Sequence, residues 1–188
     1  LNGVDVWRAP LWVPAKPSGL KRLVHLISFA VSSAPVMLRQ AFWSPDVVLT
    51  VAPAMACAPT GWLTARLCGA QAWLHIQDFE VDVAFQMNQL KGRRLQQLAL
   101  WCEKRLLRAF DKVSTISVKM VDKLLAKGVE LHAIELFPNR VDVHGITPLL
   151  EPSSYRSDLG IAETDTVALF SGTWGAKQDL LLIPEVAR

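Results

Sequence analysis

The sequence predicts an α/β fold built on a doubly wound parallel sheet, and three observations carry that expectation. Short apolar, β-branched runs alternate along the chain with helical segments, the order that generates strand, crossover helix, strand units. The runs are mainly apolar rather than strictly alternating with polar residues, as expected of strands covered on both faces. Hydrophobic residues make up 51% and charged residues 20% of the chain, an apolar lean that suits such a layered fold or a chain lacking part of its polar exterior.

Taken in order, the strand candidates are Val4–Trp7, Asp46–Val51, Ala72–Gln77, Lys112–Ile116, Ile134–Phe137 and Thr166–Ser171. A helix is expected from about Gly19 to Gln40, with Ser18 as N-cap and Leu20, Leu23, Val24, Ile27, Ala30 and Val31 on one face. Pro35 should kink or end it. Lys21, Arg22, His25 and Arg39 occupy the other face, close to Phe42 and Trp43; the pattern fits a membrane-surface helix or the solvated side of a helix packed on the sheet. The Arg93–Phe110 segment repeats Leu95, Leu98, Ala99, Cys102, Leu106 and Phe110 as an apolar stripe, with Lys104, Arg105 and Arg108 outside it. Glu103 lies among those cations and reads as a surface salt-bridge partner, worth about 0.3–0.5 kcal/mol. Ser117 should cap a further helix that ends at Gly128, behind Lys123 and Lys127. Asn139–Ser154, with Pro148 and Pro152, reads as a crossover between domains, and Arg156–Gly160 as a turn of helix.

The net charge of +3 comes with no long Lys/Arg stripe, which argues against nucleic acid as a partner. Cys57, Cys68 and Cys102 lack CxxC or metal-ligand spacing and are expected to be reduced core thiols of a cytosolic protein. The opening residues carry no secretory signal, and the missing Met suggests a start farther upstream. The uncharged run from Val47 to Ala65 is interrupted by Pro53 and Pro59 and is read as a strand leading into a helix, not a membrane span.

Three segments could carry chemistry. His75, Gln77, Asp78, Glu80 and Asp82 cluster at the carboxyl end of a predicted strand, the edge where open α/β sheets bind ligands. They could hold sugar hydroxyls, form a structural loop network or, least in keeping with their spacing, ligate a metal. Phe137-Pro138-Asn139-Arg140-Val141-Asp142 is a strand end and turn that an interdomain elbow explains. The closing stretch runs from a strand candidate through Gly172 and Thr173 to Lys177 and a helix start, so that backbone N–H groups and a cation could meet a phosphate.

In combination, Pro10-Leu11-Trp12-Val13-Pro14, Leu20-Lys21-Arg22-Leu23, the His75–Asp82 run, Val113-Ser114-Thr115-Ile116-Ser117, Phe137-Pro138-Asn139 and Phe170-Ser171-Gly172 with Lys177-Gln178 resemble the family four retaining glycosyltransferases. These are two-Rossmann-domain, GT-B enzymes, and the nearest likeness is to the bacterial colanic acid biosynthesis group. The resemblance implies transfer of a sugar from a nucleotide-sugar donor to a lipid-linked or saccharide acceptor in cell-surface polysaccharide synthesis. It also implies retention at the anomeric carbon, no cofactor and no obligatory metal. Residues 1–142 would be an incomplete acceptor-side domain, 143–164 the crossover, and 165–188 the first strand, loop and helix of a donor domain. His75, Gln77 and Asp78 would be the catalytic-cleft residues, with Glu80 and Asp82 on the acceptor side or in a loop network. Gly172, Thr173 and Lys177 would meet the donor diphosphate. Gln77 stands where many relatives have His, Asp179 and Arg140 where many have Gly, and Thr173 where Arg or Asn is common. The glycine-rich first loop and the paired-glutamate segment of the family are absent, so this piece is not expected to turn over alone. The expected location is the cytoplasm, peripherally at the inner membrane face through the 20–43 segment. A non-catalytic α/β module that binds a partner or membrane surface is the alternative, and another phosphate-binding enzyme of the same fold class a third reading.

Overall fold

The computed structural model describes residues 3–15, 19–52, 55–79, 81–82, 92–145, 147–149, 151–172 and 180–186. They form two compact units, Leu1–Arg140 and Val141–Arg188. The first unit contains α1 (Gly19–Arg39), β1 (Val47–Ala52), α2 (Ala58–Cys68), β2 (Gln71–Ile76), α3 (Arg93–Leu107), β3 (Lys112–Thr115), α4 (Val118–Ala126) and β4 (Ile134–Leu136). A 3-10 turn, Gln40–Trp43, continues α1. The four strands form one sheet in the order β1-β2-β3-β4, and every pairing is parallel.

Strands that step across a sheet in chain order through right-handed crossovers place their connecting helices on one face. Register partners share a face, so Val48, Ala72, Leu74, Ile76, Val113 and Thr115 line the side that α2, α3 and α4 cover. There they are buried with Ala65, Leu107 and Leu124. At one point α2 lies close on β1, where a Cβ on Gly61 would stand 2.1 Å from Thr50 Oγ1; only glycine lets the helix lie so near the strand. The opposite face presents Val47, Leu49 and Val51, each 44–50% exposed, beside Trp73, His75 and Ser114.

Side chains pin the amino-terminal edge of the sheet. Asp111 accepts the Ala72 N–H and an Arg66 Nη2 hydrogen at 2.8 Å each. Burial opposes its charge, but those two donors outweigh burial and hold the carboxyl below its ordinary range. Ser117 Oγ accepts from Met120 N to cap α4, as its sequence position suggests. Gly128 closes that helix at φ +80°, and a Cβ there would run into the Arg108 guanidinium.

Several expectations are corrected. Neither Val4–Trp7 nor Thr166–Ser171 forms a strand. Ahead of α1, the chain is instead held by helix side chains: Ser28 Oγ accepts from Trp12 N, Ser32 Oγ donates to Pro10 O, and His25 Nδ1 meets Trp12 O. Pro35 does not end α1; the Val31 carbonyl that loses its donor belongs to a residue 67% exposed, where water can serve it. The apolar stripe of α1 also faces outward rather than onto the sheet, with Leu23, Val24, Ile27 and Val31 all exposed. In α3 the expected stripe holds only near its end, where Phe110 is buried and Leu106 packs on the core; Leu95, Leu98 and Cys102 are exposed, and Glu103 and Leu107 are buried in addition. Glu103 is therefore a core residue and not a surface pair.

In the second unit, α5 (Ser154–Asp158) is capped by Ser153 Oγ, which accepts from Tyr155 N, and α6 spans Leu182–Val186. Arg156 donates to the carbonyls of Ala162 and Asp165 at 2.7 and 3.1 Å, closing the loop after α5.

Candidate functional site

Because all four strands are parallel, their carboxyl ends meet at one edge. That edge is cross-tied: Gln77 N donates to Ala52 O (3.2 Å), Thr115 Oγ1 to Ile76 O (2.9 Å) and Phe137 N to Thr115 O (2.8 Å). Gln77 and Asp78 thus emerge from a fixed strand tip, Gln77 half-buried and Asp78 exposed, where both can reach a hydroxylated ligand at the rim.

His75 stands one residue inside the strand and is buried on the face of the sheet that also bears Leu49, Val51 and Trp73. Trp73 Nε1 donates to Ser114 Oγ at 2.8 Å, and His75 Nδ1 lies 2.9 Å from the same oxygen. An indole N–H can only donate, so Ser114 Oγ accepts from Trp73, and its second lone pair or its own proton serves His75 Nδ1 according to the tautomer. Phe137 meets the imidazole edge-on, with centroids 5.4 Å apart. Burial lowers the His75 pKa from 6.5 and favours the neutral ring. The sequence pattern did not reveal this bridge; its one signal was a small hydroxyl residue in the middle of a buried strand, which must find a partner.

Asp82 turns away from the rim to Lys123 (3.1 Å) and Lys127 (3.0 Å) of the α4 end. Glu80 lies outside the described residues, as do Thr173 and Lys177. In the second unit, Gly172 is exposed, and a Cβ on it would come within 3.1 Å of the Phe170 ring. Among the described residues, no three His, Cys, Asp or Glu side chains converge as a metal ligand set. A cleft of about 600 Å³ opens beside Arg108, Asp111, Gly128 and His132. It lies at the amino-terminal ends of β3 and β4, away from the strand tips where Gln77 and Asp78 emerge.

The depressed His75 pKa makes a directional prediction. The unfolded chain binds this proton more tightly, so the stability His75 contributes is full above its unfolded pKa and falls as pH drops below about 6.5. Urea unfolding near pH 7.5 and pH 5.5 should show a larger loss in the wild type than in His75→Gln. Equal losses in the two proteins would show that the imidazole is not held neutral.

Comparison with known proteins agrees with this architecture. A family model described as a glycosyl transferase 4-like domain matches residues 1–140. The chain is also 40% identical over 191 aligned residues to WcaI of Escherichia coli (strain K12), a protein named as a colanic acid biosynthesis glycosyl transferase. The alignment covers 99% of this chain and 47% of that relative, so the chain spans about half its length. With a parallel α/β sheet, a polar strand tip and a family match across its whole first unit, the chain belongs to the glycosyl transferase 4-like family.

Proposed function

We propose that this chain supplies the acceptor-side half, and the opening of the donor-side half, of a glycosyltransferase. The enzyme moves a sugar from a nucleotide-sugar donor to a lipid-linked or saccharide acceptor in cell-surface polysaccharide synthesis, with retention of anomeric configuration in a GT-B arrangement. The observation that carries the reading is the match of the family model to residues 1–140, the unit in which Gln77 and Asp78 leave the cross-tied strand edge. No metal is required: the positive charge that stabilises the departing diphosphate comes from Lys177 and from backbone N–H groups around Gly172 and Thr173. Gln77 and Asp78 orient the sugar and acceptor hydroxyls, and His75 supports that shelf from beneath. Residues 1–142, 143–164 and 165–188 are assigned as acceptor domain, crossover and start of the donor domain.

The same reading places the enzyme at the inner face of a membrane. The segment Leu23–Trp43 is long and apolar enough by composition to cross a bilayer, and none of it is fully buried. Yet its other side is occupied: α1 packs against α2, and Met37 lies on the core cluster. A helix with one face on protein and an outward apolar stripe, flanked by exposed Lys21, Arg39, Phe42 and Trp43, fits the interface of an anionic bilayer better than its interior. A non-catalytic membrane-binding module would use the same surface.

Two experiments separate these readings. In the protein extended to the full length of its relatives, Lys177→Ala should lower kcat/KM for nucleotide-sugar by about 10²–10³-fold, the scale of losing one transition-state donor. An unchanged value removes the lysine from the mechanism. In flotation with vesicles containing anionic lipid at low salt, the wild type should rise with the lipid, and Phe42→Ser/Trp43→Ser should bind about tenfold more weakly. Absence of wild-type flotation overturns the membrane placement and, with it, the membrane-binding form of the non-catalytic alternative.

A further inference from the structure

One buried cluster has no part in the scheme above. Glu103 of α3 is the only buried carboxylate among the described residues, and its side chain is wholly shielded from solvent. Its Oε2 accepts from Lys127 Nζ, while Oε1 has no hydrogen-bond partner among the described residues. Lys127 also donates to Asp82 Oδ1 at 3.0 Å, and Lys123 donates to Asp82 Oδ2 at 3.1 Å. The two ammonium groups lie 5.2 and 5.1 Å from the centroid of the buried Phe79 ring. Two residues just past the β2 tip, Phe79 and Asp82, are thereby gripped by Lys123 of α4 and by Lys127 at its carboxyl cap, the latter anchored in turn by α3.

Exposed ion pairs hold little. Here the Lys127 and Asp82 side chains retain only 12% and 18% exposure, and Glu103 none, so releasing one member would strand a charge in the interior. Burial pushes the Glu103 carboxyl up, and the Lys127 hydrogen bond offsets this only in part. Burial also works against the charge on Lys127, but the bonds to Glu103 and Asp82 outweigh it and raise that pKa. An ion set of this kind adds little net stability while fixing one geometry.

We propose that Glu103 and Lys127 are positioning residues that lock Phe79 and Asp82, and so fix the direction in which Gln77 and Asp78 face the sugar-transfer cleft. The inference rests on the functional reading above. The clamp itself is geometric and can be tested separately.

The test uses the full-length protein with Lys127→Met, Lys127→Arg and the double variant Glu103→Gln/Lys127→Met, which removes both buried charges together and so preserves folding. Steady-state kinetics with nucleotide-sugar are combined with hydrogen exchange of the peptide spanning residues 77–82. Lys127→Met and the double variant should lose about 10–100-fold in kcat, as a misplaced group far from the bond change does. Donor KM should stay within about twofold, and exchange should accelerate in 77–82 while remaining slow in β2 and β3. Lys127→Arg should restore most of both signals. Unchanged kcat with faster local exchange overturns the positioning role, and so does a loss of rate matched by faster exchange throughout the sheet. If the wild type transfers no sugar, the functional reading fails; unchanged 77–82 exchange in the variants overturns the clamp.

Discussion

The parallel ladder of β1 to β4 is the constraint on which everything else in the first unit depends. It sends every strand tip to the same edge, and through right-handed crossovers it stacks α2, α3 and α4 on one face. The close seat of α2 on β1 at Gly61 and the Asp111 bridge between β2 and α2 fix the far end of that ladder. The carboxyl edge can then carry exposed polar groups such as Asp78 without loss of order, because backbone ties and the Thr115 hydroxyl already define the strand tips.

Polar burial follows a consistent logic. Ser114 joins two aromatic heterocycles on the Trp73–His75 face of the sheet, and Lys127 joins two carboxylates past the tip of β2. In each case one bridging group connects elements distant in sequence, which secondary-structure packing alone would leave free to slide. Both bridges lie within a few residues of Gln77 and Asp78, on either side of the chain that bears them. Under the proposed function, holding an acceptor hydroxyl against a bond being broken would depend on such preorganisation more than on affinity.

Much of the fold was legible in the sequence because its signals are local. Apolar β-branched runs located four strands within a residue or so at each end, and Ser117 and Gly128 marked both ends of α4. What could not be read was which face of a helix the tertiary structure would choose. In α3 the stripe through Leu95 and Leu98 competes with the one through Glu103 and Leu107, and hydropathy favours the wrong one because Glu103 is buried only by virtue of a lysine 24 positions away. The same non-local choice turned the apolar side of α1 outward and left Val4–Trp7 outside the sheet. The rim position of Asp78 was legible from its place at a strand end, but the Ser114 bridge to His75 depends on β2–β3 register, which no local pattern encodes.

The central proposal is that the tip of β2 forms the sugar-transfer shelf of the glycosyl transferase 4-like enzyme. The most direct measurement is the rate of sugar transfer by full-length Asp78→Asn, an isosteric change at an exposed residue that leaves the sheet intact. The account predicts that kcat falls at least about 100-fold with the thermal midpoint unchanged. A variant that transfers sugar at the wild-type rate would contradict it.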